Sequence, residues 1–411
     1  MIITKFYFDR QMVDNRLQTS ADTPLIGEVS ESNRGDYQIL KYAAQTFGTE
    51  IQVNYRISKH NFVSGLQFER LGLEDYSLEK ENSAGIMQEI QQENKSRTVL
   101  GLFIQDEFRP NEFIGLTAGV RTDRYSDFGR TTNPKIGGVY LFGKHFKKES
   151  LKGLGLKLSY ATAFRAPTFQ ELYDKTQADL VYGAVGTADL KPETIKTYEA
   201  AIEYEYKWLR VKTNYYTNEI ENQIGVQPGL LGTVQGVSNP YFNNPGLIKS
   251  KGYEFEIRTT KATFAKLFPD MWSWLNISKV KVEADGFITP KGNKFDAVTR
   301  TELPQWELSL GINSGITDKF RIALNYERIS ERFSNIRATT ERETKSRWAI
   351  PEQDEYNLHI YTTDKLLKDY TFGIKAFNIT DKTTYDDPTT IGSQEVEREN
   401  KTILGYMKVK F

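Results

Sequence analysis

The chain contains no cysteine among its 411 residues. Disulfide staples and thiolate metal sites are therefore excluded. Net charge is absent too: 54 basic residues balance 54 acidic ones, so no global field draws the protein to nucleic acid. Histidine is scarce, with His60, His145 and His359 the only three. No apolar run approaches the roughly 20 residues that a spanning helix requires. The opening Met1-Ile2-Ile3-Thr4-Lys5-Phe6 lacks the basic head, apolar middle and cleavage site of an export signal. Hydrophobic residues make up only 38%, low for a core-forming protein of this length. There is no Walker loop, no zinc-ligand spacing and no Ser/His/Asp order, so an enzyme is not expected.

What the chain does have is aromatics, at 13% with 23 Tyr and 24 Phe, and strict alternation. In 402–411, Ile403, Met407, Val409 and the terminal Phe411 share one face; Thr402, Lys408 and Lys410 take the other. A period of two is a strand with one apolar side. Ending on the phenylalanine of such a strand suits the closing strand of a membrane barrel, because soluble termini usually fray into water. About sixteen segments carry this periodicity. Leu100, Leu102, Ile104 and Phe108 make one stripe, and Ile114, Leu116, Ala118 and Val120 the next. Tyr198, Ala200, Ile202, Tyr204 and Tyr206 stand opposite Glu199, Glu203 and Glu205. Trp306, Leu308, Leu310 and Ile312 form another face, and Phe320, Ile322, Leu324 and Tyr326 another. Alternation alone does not separate a soluble sandwich from a barrel with a wet lumen.

The connections separate them. Short turns at 58–60, 109–112, around Lys207, at 315–319 and at 364–369 take turns with long stretches at 72–96, 164–194, 221–249, 285–303, 331–354 and 381–401. Two of intermediate length, 143–152 and 261–271, fall on the short side. Outer-membrane barrels place short periplasmic turns at one rim and long outside loops at the other. A compact soluble domain has no place for so many loops above roughly 15 residues. The expected fold is therefore all-β: one domain over 1–411, a transmembrane antiparallel up-and-down β-barrel. Trp272, Trp274 and Trp306 are expected as girdle residues at its lipid boundary.

Motifs then add a resemblance. Ser159-Tyr160-Ala161-Thr162-Ala163 runs into Phe164-Arg165-Ala166-Pro167, with Glu171-Leu172-Tyr173 after it. Then come Ala188-Asp189-Leu190-Lys191-Pro192-Glu193 and Tyr198-Glu199. Gly119-Val120-Arg121 with Asp123, Tyr125 and Phe128 leads to Asn133-Pro134-Lys135. Further on stand Lys251-Gly252-Tyr253-Glu254 and Phe377-Asn378-Ile379-Thr380-Asp381. From about Leu100 onward the chain resembles the barrel of TonB-dependent outer-membrane receptors. That resemblance implies a plug-filled barrel of about 22 strands in a Gram-negative-type outer membrane. It implies TonB-dependent uptake of a scarce ligand, first an iron–siderophore complex, with cobalamin or haem behind it. The implied partners are the lipid bilayer, the barrel-assembly machinery, a small-molecule metal chelate or vitamin, and the TonB–ExbB–ExbD complex acting through a plug domain. No cofactor is implied. No plug or TonB box precedes the strand at 2–10, so the expectation is the C-terminal part of a larger receptor, inactive by itself. The alternative is a passive 16-stranded diffusion porin.

Three residues are candidate ligand contacts. Arg165 offers planar donors to an anionic chelate, but the favoured reading is that Pro167 and its neighbours end a strand and shape the loop, as proline naturally does. Tyr173 and Tyr182 could ligate iron, although rim tyrosines are usually interfacial. Haem receptors of the family carry a histidine between the two boxes, and 168–187 contains none. Glu74, Asp75, Glu79 and Glu81, like Asp386-Asp387-Pro388, are carboxylate groups of the kind calcium favours, but no defined calcium-loop spacing is present. No metal site is expected.

Overall fold

A computed structural model describes residues 1–18, 37–81, 87–174, 184–226, 239–259, 270–284, 304–333, 349–386, 396–397 and 400–410. Sixteen strands build its wall. They are β1 (Ile2–Gln18), β2 (Tyr37–Ile57), β3 (His60–Glu81), β4 (Lys95–Phe108), β5 (Ile114–Tyr125) and β6 (Gly129–Leu141). Next come β7 (Leu154–Arg165), β8 (Glu193–Tyr206), β9 (Leu209–Glu221), β10 (Ile248–Thr259) and β11 (Trp272–Ala284). The last five are β12 (Trp306–Gly315), β13 (Phe320–Ile329), β14 (Gln353–Thr362), β15 (Tyr370–Phe377) and β16 (Thr402–Val409). Each pairs antiparallel with the next along the chain, from β1–β2 to β15–β16. The sheet is not closed: among the described residues β1 bonds only β2, and β16 only β15.

Burial is inverted relative to a soluble protein. Along β4 the apolar Leu100, Leu102 and Ile104 are 45%, 49% and 52% exposed, whereas Arg97 between them and the rim is 6% exposed. Cross-strand pairs extend the apolar stripe: Leu66 lies beside Leu102 and Phe68 beside Leu100, as Leu275 lies beside Leu310 and Ile277 beside Leu308. Among the described residues no second layer covers these side chains, and the stripes form an outer surface matched to hydrocarbon.

The other face is polar and knitted across strands. Arg121 on β5 holds the buried Asp123 at 2.6 Å and 2.9 Å and reaches Gln67 of β3 at 2.5 Å. Gln67 donates to Glu69 at 2.8 Å, and Glu69 accepts from Tyr7 of β1. Such a ladder satisfies charges on a face that a dry core would exclude. Glu203 and Glu205 belong to the same side of β8, opposite the exposed Tyr198 and Ile202.

Three expectations change. The stretch 72–96 is not one loop: β3 continues to Glu81 against β2 and carries an added strand, Met87–Gln91. A bulge between Lys41 and Ala43, with Asp75 at φ 52°, lets both strands run on. Glu74 and Glu79 of the calcium candidate are taken by Gln45 and Lys41, and Asp387 and Pro388 lie outside the described residues, as does Phe411. The regular turn-and-loop alternation also breaks once, because β5 and β6 meet at the long-loop rim through only Ser126, Asp127 and Phe128. Finally, Trp272 and Trp274 are not lipid-boundary residues. Leu275 and Ile277 occupy the apolar face, so even-numbered neighbours point the other way. There the two indoles stack at 5.1 Å, with Trp274 over Gly311. Trp306 does sit on the apolar side, under the Arg328 guanidinium at 5.6 Å.

At the short-turn rim, β6 and β7 are joined by a helical turn, α1 (Phe142–Phe146), and a 3-10 turn, Glu149–Leu151. Gly153 closes this insert so tightly that a Cβ there would lie 1.7 Å from the Glu205 carbonyl oxygen. Gly153→Ala is expected to cost about 1–3 kcal/mol through overpacking, read as faster amide exchange in 142–153 with the distant β14–β16 hairpins unchanged.

Candidate functional site

The buried apolar cluster among the described residues lies not in the wall but above it. Leu172, Leu190 and Ile224 form it, with Tyr173 and Tyr241 packed alongside. It stands at the long-loop rim, where β7 ends and β8 begins. Leu172 belongs to a second short helix, α2 (Phe169–Tyr173), and Leu190 to the Ala188–Glu193 motif.

The sequence starts α2 with a capping box. Thr168 accepts from the Glu171 amide at 3.1 Å, and Glu171 accepts from the Thr168 amide at 2.8 Å. Glu171 has a second task. Both terminal nitrogens of Arg165 donate to its carboxylate at 3.0 Å. From its other edge Arg165 donates to Glu193 at 2.7 Å and 3.0 Å. Glu193 also accepts from the Ile224 amide at 2.7 Å. One planar guanidinium thus ties the end of β7, the helix, the start of β8 and the next outer loop. Two sequence motifs that are 28 residues apart are thereby fastened by one side chain. Arg165→Ala is expected to loosen this clasp by about 1 kcal/mol, because the partly exposed pair is screened by water. Arg165→Lys recovers little, lacking the fork; protection of the Glu171 and Ile224 amides is the readout.

Arg97, which the sequence motifs do not single out, is a deeper hub. Its guanidinium is buried with Asp127, donating at 2.7 Å, and it donates to the Pro167 carbonyl at 2.8 Å. It lies over three rings, Tyr125, Phe128 and Phe169, at 5.7, 5.1 and 5.0 Å. The short β5–β6 turn thus brings Asp127 and Phe128 to Arg97. Phe164 joins them edge-on to Tyr125 at 5.8 Å. A basic residue just before an apolar alternation was the only trace of this in the sequence.

A third fastening is Asp174, 1% exposed. It accepts from Gln92 at 2.7 Å and from the Tyr76 hydroxyl at 3.2 Å, binding α2 to the tall upper part of β3. Gly186 passes so close that a Cβ would meet the Tyr173 amide nitrogen at 2.4 Å. Lys191 is held by Asn243, which receives its amide at 2.7 Å and donates to its carbonyl at 2.8 Å. Within the motif Leu190 is buried, Pro192 and Glu193 are half-buried, and Ala188, Asp189 and Lys191 are exposed.

Of the ligand candidates, Arg165 is engaged with two carboxylates. Tyr173 is half-buried with the Lys95 ammonium 5.3 Å from its ring. Burial pushes its phenol up from the ordinary value. The Tyr241 phenol is raised as well, by burial and then by Glu171 and Asp174. Tyr182 lies outside the described residues. No cluster of His, Asp or Glu that could hold a metal ion occurs among the described residues.

A single antiparallel layer with exposed apolar stripes, a polar reverse face and a folded cap at the long-loop rim is a barrel wall of the outer-membrane type. The family model "TonB dependent receptor-like, beta-barrel" matches residues 4–388, and the chain belongs to that family. Solved structures agree in fold. A mutant ferric enterobactin receptor (PfeA) from Pseudomonas aeruginosa superposes with TM-score 0.69 at 15% identity, over 99% of this chain and 59% of that one. The siderophore receptor PirA from Acinetobacter baumannii gives 0.69 and 15%, over 99% and 60%. The copper transporter OprC gives 0.67 and 12%, over 99% and 62%. The chain thus spans about three fifths of the length of these structures.

Proposed function

We propose that this chain forms the larger part of the barrel wall of an outer-membrane receptor for TonB-dependent uptake of a scarce ligand, first among these an iron–siderophore complex. The observation that carries the proposal is the family match across 4–388. Receptors for ferric enterobactin and for siderophores among the similar structures support the choice of ligand class, and a copper transporter keeps other metals open. The wall's contribution is mechanical: a rigid polar-lined conduit whose outer cap presents loops to the medium. Energy would come through TonB–ExbB–ExbD acting on a plug domain, and folding into the membrane through the barrel-assembly machinery.

The residues proposed for ligand contact are the half-buried Tyr173 with its neighbour Lys95, and, from the sequence alone, Tyr182. Arg165 serves first as the clasp that joins Glu171 to Glu193. In cells carrying the gene in its native context, deletion is expected to abolish uptake of radio-iron presented on the cognate siderophore. Uptake of every siderophore, haem and cobalamin at wild-type rates would overturn the proposal. A diffusion porin is the second reading, favoured by the sixteen wall strands. It requires steady ion conductance in planar bilayers without an energised inner membrane.

A further inference from the structure

The insert between β6 and β7 is unlike the other described connections of the short-turn rim. It is an aromatic and basic ledge folded toward the apolar side of the wall. Two contacts fix that side. Tyr140, on the face that carries the 60%-exposed Ile136, packs edge-on to Phe142 at 4.8 Å and hydrogen-bonds His145. Tyr204, on the face that carries Ile202, donates to the Ser150 carbonyl at 3.0 Å. His145 stacks between Phe113 at 4.4 Å and Phe146 at 4.7 Å, and Phe146 is 52% exposed. The ledge is rigid. A Cβ on Gly143 would lie 2.2 Å from the Lys152 Cα, and Gly153 is locked against Glu205.

Charge on this ledge is predominantly positive. Lys144, Lys147, Lys148 and Lys152 are exposed, against the single Glu149, which pairs loosely with Lys152 at 3.9 Å. Lys144, Lys147 and Lys148 make no ion pair with the described residues. Aromatic rings beside an apolar stripe, with ammonium groups just beyond them, match the layering of a phospholipid interface: acyl chains, then glycerol, then phosphate. An acidic protein would need no aromatic shelf continuous with a lipid-facing wall.

We propose that the ledge over 142–152 is a docking site for anionic phospholipid of the leaflet at the short-turn rim. The rings seat at the glycerol level and the lysines pair with headgroup phosphates. The site rests on the outer-membrane reading of the wall and adds to it a lipid preference. Four lysines acting together predict at least about tenfold tighter retention of an anionic than a zwitterionic lipid.

The test uses the whole protein folded in neutral detergent, titrated with phosphatidylglycerol or phosphatidylcholine and read by native mass spectrometry. Wild type is expected to hold phosphatidylglycerol at least about tenfold tighter. The variant with Lys144→Gln, Lys147→Gln, Lys148→Gln and Lys152→Gln is expected to lose that preference. The milder Lys147→Gln/Lys148→Gln pair, which touches only exposed side chains, is expected to lose part of it and covers the case in which the larger variant misfolds. Equal retention of the two lipids by wild type, or an undiminished preference in both variants, would overturn the proposal. So would displacement of phosphatidylglycerol by soluble polyglutamate at equal charge, which would assign the ledge to an acidic protein. Detergent-free extraction of the protein from cells would instead strike the membrane reading itself, so the two failures are distinguishable.

Discussion

Replacing Arg97 with alanine is expected to unfasten the outer cap. The change removes the partner of a buried carboxylate, Asp127, and a donor from the Pro167 carbonyl, while leaving three rings around an empty slot. Breaking a buried pair on one side typically costs about 3–5 kcal/mol, because the remaining charge stays desolvated. Local unfolding of α2 and the 184–190 segment should follow while the wall persists. Hydrogen exchange resolves the two: amides of Leu172, Asp174 and Gly186 lose protection, and those of β11 to β13 do not. The double change Arg97→Met/Asp127→Leu should recover much of the loss, because no orphan charge remains. Equal protection in wild type and Arg97→Ala would mean that the cap is held by its apolar cluster alone.

Leu102→Arg and Gln105→Arg should differ sharply although they sit three residues apart on β4. Leu102 is on the exposed apolar stripe and Gln105 on the polar face. An arginine at the bilayer midplane of a barrel costs about 2–4 kcal/mol, whereas a lumen-facing one is tolerated. Folding titrations in liposomes should show the first variant destabilised by that amount and the second within about 0.5 kcal/mol of wild type. Equal effects would mean that the stripe does not meet hydrocarbon.

Much of this was legible in the chain itself, and what was missed has physical causes. Alternation marked the wall strands because one face meets hydrocarbon and the other water, so the two-residue period is written in polarity. It failed over 72–96, where Glu74, Glu79 and their neighbours form strand above the apolar belt with polar residues on both faces. Trp272 and Trp274 were misplaced by residue type, although counting from Leu275 and Ile277 puts them on the polar side. The motif residues Phe164, Arg165, Pro167, Leu190 and Glu193 were visible as a pattern, but the clasp between Arg165, Glu171 and Glu193 was not. Its partners meet through a 27-residue excursion that no local period records. Arg97 was hidden for the same reason: its partners come from three separate segments.

The order of pairing has a last consequence, for biogenesis. Every wall strand bonds to its immediate neighbour in the chain. The closure entropy for each new strand is therefore only that of the single connection before it, growing as the logarithm of its length. A template that accepts one hairpin at a time can build such a wall by repeated addition, without ever gathering distant parts of the polypeptide. Until the last addition each growing edge is a sticky ladder of unpaired amides and carbonyls, which must be kept from pairing with a stranger.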